Sequence, residues 1–219
     1  LLAAYLICVR WVLDPSNPGH RWLFDRAMPF WTYATFTQNF AMAAANTSGA
    51  HFLGITWSLA IEEQFYLVLP LLIAVLPPRA LPWCLAAFIA AAPVLRQLAL
   101  ARGWDPFVLM PTRADSLLCG TLLAALMQGS VSRAWLIERR RFLRLLGLVL
   151  FAGIALLTIS PGMLGALNHA WLAAFFGVLI ALALTRPEGW LARAMRARWL
   201  AALGVVSYSV YLFHQAVSG

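Results

Sequence analysis

Two carboxylates stand side by side, Glu62 and Glu63, in the stretch Thr56-Trp57-Ser58-Leu59-Ala60-Ile61-Glu62-Glu63-Gln64-Phe65-Tyr66. The chain then runs through Leu67 to Leu76 without another charge. Keeping a carboxylate in hydrocarbon is expensive, so an intramembrane acid is a candidate functional group by default. Ser58, Glu62 and either Phe65 or Tyr66 recur at helical spacing and share one face. Glu63 points about 100° away from that face. One acid can therefore line a cavity while the other anchors the helix to an arginine. Equally, both acids can serve only to pin the helix at the interface.

Other polar residues could meet these acids. Arg113 and Asp115 are two apart on a helix, so they diverge and are expected to take different partners. Arg113 can pair with Glu62 or Glu63, hold an anionic substrate group, or snorkel outward. Near the end of the sequence, Ser207, Tyr211 and His214 follow i, i+4, i+7 and make a polar stripe beside Tyr208. Histidine is the side chain most suited to proton transfer near neutral pH, although one near a helix end can also be a simple interfacial hydrogen-bonding group. His51 is expected in an exposed loop, and His169 has no evident acidic partner in the sequence.

The elements that position these residues follow from composition. Of 219 residues, 63% are hydrophobic and 11% charged, with mean hydropathy +0.79. A soluble domain carries about 25% charged residues, so the fold class is all-α, a polytopic integral membrane helix bundle. The net charge is +8 and all sixteen basic residues are arginines. They sit in short loops between apolar runs, as cytoplasmic loops of membrane proteins do, and this arrangement argues against a nucleic-acid partner. Cys8, Cys84 and Cys119 lack metal-ligand spacing and read as small buried hydrophobes. No metal is expected.

Seven spanning segments are expected, at about 1–13, 58–76, 81–100, 113–128, 145–160, 163–184 and 200–217, each near the ~20 residues a bilayer needs. Residues 14–57 form an aromatic-rich connection suited to the membrane interface, with a short helix expected within 29–45. Pro77-Pro78 ends the second span, and Ser160-Pro161-Gly162 turns the fifth into the sixth. Placing the basic loops 129–144 and 185–199 in the cytoplasm puts ten of the sixteen arginines inside. Residues 14–57 and 96–112, including Arg96, then lie outside. Under this topology Glu62, Glu63, Arg113, Asp115 and His214 fall in the outward-facing half of the bundle. Composition and spacing alone leave a membrane enzyme and a secondary transporter or flippase equally open.

The motifs also carry a family resemblance. Thr56-Trp57-Ser58-Leu59 with Glu62-Glu63-Gln64-Phe65-Tyr66 resembles the TWSL-x-x-EEQFY signature of acyltransferase-3 membrane O-acyltransferases of the O-antigen acetylase type. Arg113-x-Asp115-x-Leu117-x-x-Gly120 resembles that family's arginine-aspartate motif, and Leu203-Gly204-x-x-Ser207-Tyr208-Ser209-x-Tyr211-Leu212-x-His214 its LG-x-x-SYS-x-YL-x-H motif. The loop Thr37-Gln38-Asn39-Phe40 fits as well. Order and separation agree over essentially the whole chain, so residues 1–219 resemble part of the family's transmembrane domain.

The resemblance implies transfer of an acyl group, usually acetyl, from acyl-CoA as donor to a hydroxyl of an extracytoplasmic carbohydrate or glycolipid, in the bacterial inner membrane. The oligomeric state stays open. It implies catalytic roles for Glu62, Glu63 and His214, and substrate contacts from Trp57, Ser58, Gln64, Tyr66, Arg113, Asp115, Ser207, Tyr208 and Tyr211. The family's bundle has more helices than the seven counted. The resemblance therefore leads us to expect a helix before Leu1 bearing an arginine and the main catalytic histidine, further helices after Gly219, and no turnover by residues 1–219 alone.

Overall fold

The computed structural model describes residues 2–7, 27–159 and 165–218 and is all-helical, with no strand among the described residues. Long apolar runs dictate this, because backbone in hydrocarbon must satisfy its own polar groups and a helix does so within one segment. In chain order the helices are α1 Leu2–Ile7, α2 Phe30–Ala34, α3 Gln38–Ala45, α4 His51–Gly54, α5 Thr56–Val75 and α6 Leu81–Ala101. They continue with α7 Ala114–Gln128, α8 Ser130–Glu138, α9 Arg140–Ile159, α10 Asn168–Thr185, α11 Trp190–Met195 and α12 Arg198–Ser218. They form two compact units.

The first unit takes Leu1–Val68, Ala99–Met110 and Trp199–Gly219. Its core gathers Tyr5, Tyr33, Met42, Phe52, Leu53 and Val108 with their neighbours. The aromatic connection holds two short helices, α2 and α3, where one was expected. Asn46 closes α3 in the left-handed conformation (φ 49°), and its N–H bonds back to the Ala43 carbonyl, a capping role asparagine tolerates well. His51 is not a loop residue. It opens α4 and is half-buried, because Phe52 and Leu53 beside it are drawn into the core.

The second unit takes Leu69–Leu98 and Pro111–Arg198. Here α10 packs against both α9 and α7 around Leu123, Leu143, Leu150, Val178 and Ala181. The Trp171 indole donates to the Leu150 carbonyl at 2.8 Å. Gly153 makes that approach workable, since a Cβ there would overlap the indole ring. The basic stretches 129–144 and 185–199 were expected as loops and are largely helical, as α8, the start of α9, and α11. Leu136, Leu143 and Ala192 bury one side of these segments, and arginine is itself a good helix former. Arg96, expected in an outer connection, lies inside α6.

Three helical segments are long and apolar enough to cross a membrane among the described residues: His51–Val75, Leu81–Ala101 and Asn168–Thr185. A fourth results if Pro111–Gln128 and Ser130–Glu138 count as one span broken by a 104° bend. Extended Gly129 makes the break, and the Ser132 hydroxyl restores a partner to the Leu126 carbonyl at 2.5 Å. The other expected spans fall on α1, α9 and α12, each abutting residues outside the described set. The turn expected at 160–162 lies outside it too. Only 11–22% of each clear span's most apolar window is buried, which leaves wide apolar surface suited to lipid.

Candidate active site

In the first unit the head of α5 is fixed by amide side chains from α3. Gln64 Nε2 donates to the Phe36 carbonyl at 2.6 Å and to Asn39 Oδ1 at 2.9 Å. Asn39 Nδ2 in turn donates to the Val108 carbonyl at 3.0 Å, and Gln38 Nε2 to the Thr56 carbonyl at 2.9 Å. Gln38 and Asn39 are fully buried, so these bonds stand in for water that cannot reach them. Phe36 has a left-handed backbone (φ 53°), unusual for a bulky residue. The bond from Gln64 to its carbonyl helps hold that turn. Asp105, whose N–H reaches the Ala43 carbonyl at 3.1 Å, caps the turn Pro106–Val108 through Oδ1. Phe107 on that turn packs its ring 4.7 Å from Trp57.

Against this frame Glu62 and Glu63 are half-buried and interact electrostatically with each other. Among the described residues neither carboxylate makes a hydrogen bond or an ion pair. Gln64, one residue on, is held by Phe36 and Asn39, so the acids sit on a stretch whose position is set by a neighbour's bonds. Tyr66 projects outward, 61% exposed, with its ring 6.1 Å from Phe65.

Helix α12 supplies the stripe expected from spacing. Tyr211 donates its hydroxyl to Ser58 Oγ at 2.7 Å, joining α12 to α5 within the first unit. His214 Nδ1 lies 2.6 Å from the Tyr211 carbonyl. A carbonyl only accepts, so Nδ1 carries the proton and a neutral His214 leaves Nε2 as an acceptor. Ser207 is spent locally, donating to the Gly204 carbonyl at 2.8 Å, and Tyr208 is exposed. The structure thus brings Ser58, Tyr211 and His214 together and sets Ser207 and Tyr208 on the exposed surface of α12.

In the second unit Asp115 takes a partner that spacing alone did not offer. It forms a buried ion pair with Arg96, the two residues 1% and 4% exposed. Arg96 Nε also donates to the Thr112 carbonyl at 2.7 Å, and Asp115 Oδ1 accepts from the Ser116 N–H at 2.8 Å. The pair is therefore saturated with hydrogen bonds, the condition under which buried charges are tolerated. It ties α6 to the turn Pro111–Arg113 and the start of α7. Arg113 turns elsewhere, to the wall of a cleft it shares with Ser116 and His169. Asp115 thus pairs from the first turn of α7, while Arg113 ends the turn before that helix and lines the cleft.

Sequence reasoning missed Arg96, Asn39 and Gln38 as positioning residues. Arg96 lies on one line of helix with Pro93 and a run of small apolar residues, and a lone charge in such a run is itself a signal of a buried partner. Cys84 and Cys119 are free thiols; Cys8 lies outside the described residues.

The acyltransferase domain family (Acyl_transf_3) matches residues 18–218. The chain is also 27% identical over 168 residues to a protein of Komagataeibacter xylinus provisionally named membrane-bound transacylase BcsY, a match over 73% of this chain and 39% of that protein. The chain thus spans well under half the length of that curated relative. No solved structure matches it significantly.

Proposed function

Since the chain belongs to the acyltransferase-3 family, we propose that it is the membrane-embedded part of an O-acyltransferase. Its donor is acyl-CoA, the transferred group acetyl, and the acceptor a hydroxyl of an extracytoplasmic carbohydrate such as a surface polysaccharide. The bundle sits in the bacterial inner membrane with about seven spans in these residues, and Glu62 and Glu63 lie in its outward-facing half. The observation that carries the reading is the pair of carboxylates on α5, uncommitted among the described residues while Gln64 beside them and Ser58 one turn before are engaged.

The chemistry assigns the roles. An acceptor hydroxyl attacks the thioester carbonyl carbon, its proton passes to a base, and the C–S bond breaks as the thiolate leaves and takes up a proton. Glu62 and Glu63 receive or steer that proton, and His214 offers Nε2 as a second proton-transfer group. The developing oxyanion needs a donor or cation, which Tyr211 can supply by turning its hydroxyl from Ser58 to the substrate. Trp57, Tyr66, Ser207 and Tyr208 supply aromatic and hydroxyl surface of the kind that binds sugars. Gln64 and Asp115 act by holding α5 and α7 in place.

The test is the full-length protein in vesicles with labelled acetyl-CoA and an acceptor polysaccharide. Label in the sugar is expected. Sugar translocation without acylation would make the chain a transporter and overturn the reading.

A further inference from the structure

In the second unit the first turns of α9 meet the end of α10 and the start of α11 at a cleft of about 170 Å³. Arg140, Arg144 and Arg186 line it with Leu182, Gly189 and Trp190, and none of its lining residues is acidic. Arg140 and Arg144 stand one turn apart on α9, where like charges repel. Arg140 commits Nε to the Ile137 carbonyl at 2.9 Å. The guanidiniums of Arg144 and Arg186 make no hydrogen bond or ion pair among the described residues. Glu138 and Glu188 are the only acids after Asp115 in the sequence, and neither pairs with an arginine among the described residues.

The turn that carries Arg186 is held in place. The Gly189 N–H donates to the Arg186 carbonyl at 2.9 Å. A Cβ at Gly189 would lie 3.0 Å from that carbonyl oxygen and 3.3 Å from Arg186 Cγ, so glycine lets the arginine stem lie back over the turn. Arg196 ties α11 to the same turn by donating to the Pro187 carbonyl. Along α9, Leu148 and Phe151 continue the stripe begun by Arg140 and Arg144, and both are exposed. Leu182, opposite, belongs to a helix long and apolar enough to cross a membrane. Trp190 is 75% exposed, and tryptophan suits the level of the lipid headgroups. The cleft thus gathers three cations at the end of a span, with exposed apolar surface leading away from them.

We propose that this cleft seats the headgroup of an anionic phospholipid, with the phosphate among Arg140, Arg144 and Arg186 and an acyl chain along Leu148 and Phe151. An anion between the guanidiniums offsets their mutual repulsion and accepts charge-assisted hydrogen bonds, which are the strong kind. Basic pockets between spans on the cytoplasmic side bind such headgroups, and the two basic stretches expected on that side, 129–144 and 185–199, meet at this cleft. Coenzyme A also carries phosphates. However, a cleft of about 170 Å³ is smaller than the ~300–1,000 Å³ that encloses a drug-sized ligand, whereas a phospholipid leaves its chains outside. The inference concerns binding alone and does not depend on the acyl-transfer reading.

Full-length protein, purified and titrated with phosphatidylglycerol or phosphatidylcholine, would be read by native mass spectrometry. Phosphatidylglycerol carrying a diazirine on its acyl chain would then be photocrosslinked to the unaltered protein and the labelled peptides mapped. The expected result is preferential phosphatidylglycerol retention, with crosslinks in residues 144–151 and 182–191. Arg144→Gln with Arg186→Gln should weaken retention about tenfold or more, the scale of a lost charge-assisted contact. The melting temperature without lipid should not move, because neither guanidinium has a partner among the described residues. Arg141→Gln with Arg193→Gln removes the same charge from exposed positions outside the cleft and should leave retention within about twofold, since exposed charges are screened by salt. Equal retention of both lipids, crosslinks only elsewhere, or equal losses in the two double variants would each overturn the proposal. So would displacement of phosphatidylglycerol by equimolar coenzyme A, which would make the occupant a soluble phosphate donor rather than a lipid.

Discussion

The two units treat buried acid in opposite ways. In the second, Asp115 is sealed from solvent, paired with Arg96 and bonded to the Ser116 N–H. In the first, Glu62 and Glu63 are only half-buried and hold no hydrogen bond or ion pair among the described residues. Asp115 and Arg96 neutralise one another and join α6 to α7, so their charge does structural work. Glu62 and Glu63 are placed by the bonds of a neighbour, Gln64, which leaves their own oxygens for a proton or a substrate. Asp115 is held by its own oxygens, whereas Glu62 and Glu63, the acids proposed for chemistry, are held through the backbone of their helix.

This contrast can be broken in graded steps. The largest effect is expected at the ion pair. Asp115→Asn or Arg96→Met strands a buried charge and should cost about 3–5 kcal/mol of stability, read as a loss of folded full-length protein in detergent on heating. The double variant Arg96→Met with Asp115→Leu should recover most of that loss. If it does not, the pair does more than join two helices.

Next come the acids of α5. In the full-length protein, Glu62→Gln or Glu63→Gln should lower acetyl transfer by about 100-fold or more, the scale of a lost proton-transfer group. Thermal stability should change little, because no described bond is removed. Unaltered transfer with lowered stability would show that these acids are structural after all and erase the distinction between the units.

Gln64→Leu should behave like the ion pair rather than like its neighbours Glu62 and Glu63. It orphans Asn39 Oδ1 and the Phe36 carbonyl, at a cost of about 1–3 kcal/mol. A fall in activity without a fall in melting temperature would instead place Gln64 against substrate. Smallest is Tyr211→Phe, which removes only the bond to Ser58. About 1 kcal/mol or less is expected in stability, with a larger effect on transfer only if that hydroxyl meets the developing oxyanion.

Much of this was legible in the sequence. The all-helical class followed from 63% hydrophobic content, and the spans at 58–76 and 81–100 match α5 and α6 closely because Pro77-Pro78 punctuates them. Other features were hidden. The basic stretches read as loops because their charge masks the leucines and alanine that bury one side. Arg96 read as a loop residue because a charge near the end of an apolar run looks like its boundary, and nothing local announces a partner 19 residues away. Asn39 was noticed only as part of a loop, although it bonds across to residue 108.

The sequence by itself determined that the chain is helical and membrane-embedded, which residues share a helix face, and which motifs place it in an acyltransferase family. These depend on composition and on the period of one helix, both properties of local chain. Only the tertiary structure decided that Asp115 is spoken for by Arg96, that Gln64 is locked to Asn39 and Phe36, and that Tyr211 meets Ser58. Those pairings join distant segments, and which polar group is satisfied and which is left available depends on where the fold carries its partners.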